Sequence, residues 1–295
     1  MELVKLGEKT YCIKNRTNIG IYLEDDNNVW LIDTGNDDDT AKAILKIIEA
    51  NSWHVKGIIN THSHSDHCGG NNLIEKRTDC LVLASPIEEY FIRNNDLEGP
   101  FLYGAKPFNN IISKNVKAKN SHNVKLVTDF LPAGLEIIYL PGHCYNMIGI
   151  KTSDDVYFLG DGLISSEIIN KYHVFYVYDV ASYLESLDKI ENLTGNYFIP
   201  SHSDILTSPE ALITENRNKM LEIINVILDY LKERHVFDDI VKHIFDYYNL
   251  RMSNLQYYLV GDSIKAYLAY LIDNESLETV IEDNYFYFHT ISHNK

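Results

Sequence analysis

The sequence predicts a layered α/β fold with a smaller, mostly helical segment at its C-terminal end, and three observations point there. Short apolar runs of strand length recur between residues 11 and 199, bounded by Gly, Pro, Asn or Asp. Stretches with apolar residues at helical spacing lie between several of them. From residue 208 the pattern turns to helical stripes and closes on a hairpin. Strands alternating with helices build sheets covered by helices, because each element has one apolar face to bury.

The totals set the frame. A chain of 295 residues accommodates one large domain, 1–207, and an appendage, 208–295. An apolar fraction of 45% is ordinary for a soluble globule. The net charge of −16 opposes nucleic-acid phosphate and anionic membrane, and no basic patch offsets it. Met1-Glu2-Leu3-Val4-Lys5 lacks the apolar core of a signal peptide, and no run approaches membrane-spanning length. Cys12, Cys68, Cys80 and Cys144 match no zinc-finger or redox spacing, so they are expected as reduced thiols in a cytoplasmic protein. A small molecule, not nucleic acid or membrane, is the expected partner.

Residues 1–33 predict a meander through Tyr11-Cys12-Ile13, Ile19-Gly20-Ile21-Tyr22-Leu23 and Val29-Trp30-Leu31-Ile32-Asp33, with Asp25-Asp26-Asn27-Asn28 as a hairpin turn. A helix follows over 41–50, with Asp39 or Thr40 as cap. Gly57-Ile58-Ile59-Asn60 is the next strand, a helix starts near Asn71, and Cys80-Leu81-Val82-Leu83-Ala84 is a buried-type strand. Ser85-Pro86 opens a short helix to Arg93. Residues 94–128, rich in Gly, Pro, Asn and aromatics, predict a long loop that walls a pocket. Strands resume at 135–140, 156–159 and 197–199, with a helix over 181–193. In the tail, helices are predicted from Ser208-Pro209, over 238–248 and over 263–272, followed by strands at 277–281 and 285–288.

The chemistry is concentrated in Thr61-His62-Ser63-His64-Ser65-Asp66-His67-Cys68-Gly69-Gly70. An extended backbone puts His62 and His64 on one side, and Gly69-Gly70 give the freedom to turn Asp66 and His67 round. Neutral imidazole and carboxylate are the donors a borderline divalent ion such as zinc prefers. Other strands end beside the same donor types: Asp33, Pro141-Gly142-His143, Gly160-Asp161-Gly162 and Pro200-Ser201-His202. Strand ends of a layered α/β domain form one rim, so these side chains can converge.

This set resembles the metallo-β-lactamase-fold hydrolases, whose signature His-x-His-x-Asp-His the stretch matches, and the resemblance covers residues 1 to 205. It implies a sandwich of two mixed sheets with helices on the outer faces (αββα). It further implies that His62, His64 and His143 hold one metal, that Asp66, His67 and His202 hold a second, and that Asp161 bridges them. Asp33 would orient a ligand histidine. Two divalent ions, zinc first and iron or manganese as alternatives, would supply a bridging hydroxide for attack on a carbonyl, with Asp66 assisting. Asp161 makes the pattern similar to the glyoxalase II, lactonase and phosphodiesterase branches, with a glyoxalase II-like thioester as first substrate and a lactone or other ester as second. A di-iron redox protein is the more distant reading. Cys68 and Cys144 are expected to pack as buried thiols under the site.

The helices and hairpin of the tail look winged-helix-like, which suggests DNA binding. From residue 210 there are eight Lys or Arg against fourteen Asp or Glu, a net of −6, which opposes phosphate. The tail is therefore expected to wall the pocket or to form a homodimer contact. Candidate substrate contacts are Tyr103, Lys106 and Phe108 from the long loop, with His173, Tyr176 and Tyr178 from the aromatic stretch after Lys171.

Overall fold

The computed structural model describes residues 1–109, 111 and 117–291; the part of the expected long loop at 110 and 112–116 lies outside them. The chain opens with an antiparallel meander of β1 (Glu2–Lys5), β2 (Thr10–Lys14), β3 (Ile19–Leu23) and β4 (Asn28–Ile32). Helix α1 (Asp38–Ala50) crosses to β5 (His54–Ile59), parallel to β4. Its cap is Asp37, not Asp39 or Thr40: the Asp37 carboxylate accepts the Thr40 N–H at 3.0 Å. Asp38 and Asp39 instead sit in the first turn, where the helix dipole favours negative charge. One turn, α2 (Ser65–Cys68), and α3 (Asn71–Thr78) lead to β6 (Leu81–Ala84), then α4 (Glu88–Arg93), α5 (Glu98–Tyr103) and β7 (Val124–Leu126). Together β1 to β7 form one mixed sheet in sequence order.

The second sheet has the order β11-β10-β9-β8, from β8 (Leu135–Tyr139), β9 (Ile148–Thr152), β10 (Val156–Gly160) and β11 (Tyr197–Pro200). Between β10 and β11 run α6 (Ser166–Tyr172) and α7 (Val180–Glu191), and the resulting β10–β11 pair is parallel. One buried layer, including Trp30, Ile32 and Ile59 from the first sheet and Ile148, Phe158 and Ile199 from the second, fills the space between the sheets. A second layer packs Ile44, Ile48 and Ile74 from α1 and α3 onto the outer face of the first sheet. The αββα sandwich follows from these layers.

The tail comprises α8 (Glu210–Tyr230), β12 (His235–Val236), α9 (Phe237–Tyr247), α10 (Asn254–Asp273), β13 (Leu277–Glu282) and β14 (Tyr285–Thr290). Helix α10 starts nine residues earlier than its apolar spacing suggested, because Ser253 caps it by accepting the Gln256 N–H. Strands β12, β14 and β13 form a small antiparallel sheet. Buried residues of the tail, such as Leu212, Met220 and Tyr267, share one continuous cluster with Leu140, Leu187 and Phe198. The tail therefore covers the outer face of the second sheet together with α7.

Gly142, at the end of the β8 turn, has φ +122. A Cβ there would lie 2.3 Å from the backbone N of Tyr183, the first turn of α7. Only glycine allows His143 to be set down against that helix. Gly142→Ala should lower unfolding stability by about 2–4 kcal/mol through strain and overpacking, read as a shift in the urea midpoint.

Candidate metal centre

Both sheets deliver donors to one rim. Asp33 follows β4 with φ +61, and the 61–70 stretch follows β5. His143 follows β8, Asp161 follows β10, and His202 follows β11. Three sets of donor atoms each lie within 4.8 Å of one another: His62, His64 and His143; His62, His67 and Asp161; and Asp66, His67 and His202.

The ring nitrogens of three histidines converge. Nε2 of His62 and Nε2 of His143 each stand 3.0 Å from Nδ1 of His64. Zinc–nitrogen bonds of ~2.0–2.1 Å in tetrahedral geometry place ligand nitrogens about 3.3 Å apart, so these two edges are near those of a metal's ligand face. Asp161 sits between the sets, with Oδ2 3.4 Å from His143 Nε2, Oδ1 3.4 Å from His67 Nε2 and 3.5 Å from His202 Nε2. Asp66 Oδ2 lies 3.3 Å from His202 Nε2.

Each ring is held from behind. A carbonyl can only accept, so His143 Nδ1–H donates to Tyr176 O at 3.1 Å and His202 Nδ1–H to Arg16 O at 2.9 Å, which turns both Nε2 atoms toward the cluster and, in a neutral ring, leaves Nε2 the lone pair a metal needs. His67 Nδ1–H donates to Asp33 Oδ2 at 2.9 Å. Asp33 also accepts the Thr61 N–H and Oγ1–H, both at 2.8 Å, and so ties β4 to the start of the histidine stretch. Buried His67 Nε2 has no hydrogen bond among the described residues. A buried ring nitrogen without a partner, facing the carboxylates of Asp66 and Asp161, fits a site for a cation.

The electrostatics lead to the same fit. Burial pushes His62, His64 and His143 down, the last to about 4 despite Asp161, so these rings are neutral. Burial acts the same way on His67, but Asp161, Asp33 and Asp66 outweigh it and lift the ring to about 10. His202 is raised well above its usual value because Asp161 and Asp66 overcome burial. Burial would raise Asp66 and Asp161, yet His67 and His202 hold both below the usual carboxylate range. Asp161 and Asp66 thus draw positive charge onto His67 and His202, a demand that a divalent ion would meet.

Cys68 and Cys144 pack as expected. Cys68 Sγ–H donates to Ser63 O at 3.0 Å, and burial pushes both thiols well up, so neither offers a thiolate.

A chamber of about 240 Å³ opens onto His64, His143, Asp66 and Asp161, walled by Glu98, Phe101, Leu102, Tyr176, Leu255 and Leu259. Of the six expected substrate contacts, Tyr176 alone lines it. Tyr178 lines an adjoining narrow cleft beside His64. The other four, Tyr103, Lys106, Phe108 and His173, do not line the chamber. Tyr103 meets the ring of Tyr258 on α10 at a tilt, 5.0 Å between centroids, and meets Phe108 edge-on at 5.9 Å. Lys106 is exposed and lines none of the cavities around the cluster. His173 stacks on Tyr248 at 4.7 Å, with Nδ1 3.4 Å from Lys219 Nζ.

Sequence reasoning missed Glu88 and Glu98. Buried Glu88 accepts the N–H of Ser63 and of Asn146, each at 3.0 Å, and so clips the two histidine-bearing loops together. Glu98 Oε1 accepts from Ser63 Oγ at 2.8 Å, and burial lifts this carboxyl to about 7 against the Ser63 bond. The available signal was two acidic residues, each directly after an apolar one, Ile87 and Leu97, at the starts of short helices.

Residues 16–202 match the family model of the metallo-beta-lactamase superfamily. Similar curated proteins include hydroxyacylglutathione hydrolases of Prochlorococcus marinus. The one from strain MIT 9301 is 28% identical over 50% of this chain and 54% of its own length. The one from strain MIT 9312 is 26% identical over 61% and 66%. The chain thus spans about half to two thirds of the length of these relatives. A solved metallo-beta-lactamase family protein from Thermus thermophilus superposes with TM-score 0.70 at 18% identity, over 92% of this chain and 93% of that one, a likeness of fold. Among the described residues no helix is long and apolar enough to cross a membrane.

Proposed function

The chain belongs to the metallo-beta-lactamase superfamily, and from that premise we propose that it is a metal-dependent hydrolase of an acyl bond, a thioester first and a lactone or other ester second. The observation that carries this reading is the shared carboxylate: Asp161 offers one oxygen toward His143 and the other toward His67 and His202. His62, His64 and His143 would hold one divalent ion, and Asp66, His67 and His202 a second. Two such ions, zinc by donor chemistry with iron and manganese suiting the same set, supply a strong nucleophile from water at neutral pH and charge to stabilise an attacked carbonyl.

The protein's own residues set the geometry. Asp33 keeps the His67 proton on Nδ1 and the ring in place. Asp66 is the more exposed carboxylate of the cluster, with 40% of its side chain accessible against 10% for Asp161, so it is the group able to take a proton from an attacking water. Phe101, Leu102, Leu255 and Leu259 keep solvent off the reacting carbonyl. Apart from the cluster, Glu98 and Tyr176 are the only titratable groups lining the chamber among the described residues. A leaving group that departs as a thiolate needs no strong acid, which favours the thioester. Similarity to hydroxyacylglutathione hydrolases supports the same choice.

Zinc-loaded protein assayed with S-lactoylglutathione and an acyl-homoserine lactone tests this. Faster turnover of the thioester, abolished by chelation and restored by zinc, is expected. A fully loaded protein that hydrolyses neither would refute it.

A further inference from the structure

Building on the hydrolase reading, we propose that the chamber selects a short acyl group bearing a hydrogen-bond donor, an ammonium or a hydroxyl, and that Glu98 is the specificity residue that recognises it.

The chamber is small, about 240 Å³, below the ~300–1,000 Å³ of ordinary small-molecule sites. Its walls beyond the cluster are Leu102 and Phe101 of α5, Leu255 and Leu259 of α10, Tyr176, and one carboxyl group. Among the described residues no Lys or Arg lines it. The cations near the cluster, Lys14, Arg16 and Lys171, line a separate groove of about 730 Å³ beside Asp66 and His202. Lys14 is already paired with Asp204 at 3.2 Å, so Arg16 and Lys171 are the cations that groove offers an anionic part of a substrate, while the chamber walls offer none, which leaves the chamber for the acyl side.

A carboxyl group in an apolar wall is costly unless donors meet it. Glu98 has one, the Ser63 hydroxyl on Oε1. Its other oxygen has no hydrogen-bond partner among the described residues. Ser63 cannot supply a second donor, because its N–H already serves Glu88. The position is fixed from two sides: Ser63 lies between two cluster histidines, and Tyr103 of α5 packs at a tilt against Tyr258 of α10. A donor on the acyl chain completes the pairing, and an acyl chain without one leaves a desolvated carboxyl unmet.

The test uses 3-aminobutanoyl, 3-hydroxybutanoyl and butanoyl thioesters of N-acetylcysteamine, close in size and sharing a neutral thiol, with zinc-loaded wild type, Glu98→Gln and Glu98→Leu. Wild type should favour both donor substrates over butanoyl by roughly tenfold or more in kcat/KM, with the difference in KM. Glu98→Leu should level the three, and the size-matched Glu98→Gln should lose more of the ammonium preference than of the hydroxyl preference. A preference absent from wild type, or unchanged in Glu98→Leu, overturns the proposal. Calorimetric binding of 3-aminobutanoate against butanoate separates the two readings. A Glu98-dependent binding preference without turnover of any thioester keeps the chamber's selectivity and removes the hydrolase. Turnover of all three without preference does the reverse.

Discussion

Asp161→Asn is expected to cut thioester kcat/KM by on the order of 10³-fold while leaving the fold intact, the scale of removing one group that stabilises developing charge. Asn has the size of Asp, so the buried position after β10 is not strained by volume. What changes is charge and donor count. Asp161 is the one carboxylate facing both halves of the cluster, 3.4 Å from His143 and from His67. An amide presents one oxygen and one N–H group there, and the N–H group repels a cation. The second ion should be lost more readily than the first, because His62, His64 and His143 remain a complete histidine face. Elemental analysis of the variant should therefore read near one metal per chain, with unchanged far-UV circular dichroism. Two tightly held ions with full activity would show that Asp161 does not bridge.

Asp33→Ala combines a stability loss with a metal-affinity loss. The side chain is 2% exposed and accepts from Thr61 N, Thr61 Oγ1 and His67 Nδ1. Truncation leaves three buried donors without a partner, which costs about 3–5 kcal/mol. His67 also loses the acceptor that fixes its tautomer, and losing such support weakens metal binding ~10–100-fold. Urea unfolding of metal-free protein reads the first effect, and zinc competition with a chelating dye reads the second. Asp33→Asn should keep more of the stability than of the affinity, since an amide can still accept from Thr61. If the two variants lost affinity and stability in the same proportion, Asp33 would be acting on the fold alone.

The cluster of His and Asp donors was legible because its signal is local. His62, His64, Asp66 and His67 fall within one stretch, and the remaining donors sit beside turn residues at strand ends. The chamber was hidden because its walls come from segments whose local signal misleads. Gly99-Pro100 punctuates like a loop, yet Pro100 lies in the first turn of α5, where its missing N–H has no helical partner to lose. With α5 unread, Glu98, Phe101 and Leu102 had no assigned place. The β9 strand, Ile148–Thr152, went unread between the His143 turn and the Thr152–Asp155 turn, although Ile148 and Ile150 both point into the inter-sheet layer. The aromatic alternation at 174–178 is real: Val174, Phe175 and Val177 are buried in the core, while Tyr176 and Tyr178 line the cavities around the site. It is not a strand, because Val177 N–H donates to the Ser263 hydroxyl and Tyr178 N–H to Gly142 O, so no neighbouring strand takes them. Leu255 and Leu259 reach the chamber from the C-terminal tail, a placement that apolar spacing along one helix cannot reveal.

The central claim, two divalent ions sharing Asp161, is most directly tested by titrating metal-free protein with zinc and counting bound ions at saturation, in wild type and in Asp161→Asn. Two ions per chain in wild type and one in the variant is the result expected. One ion per chain in both would contradict a shared carboxylate between two metals.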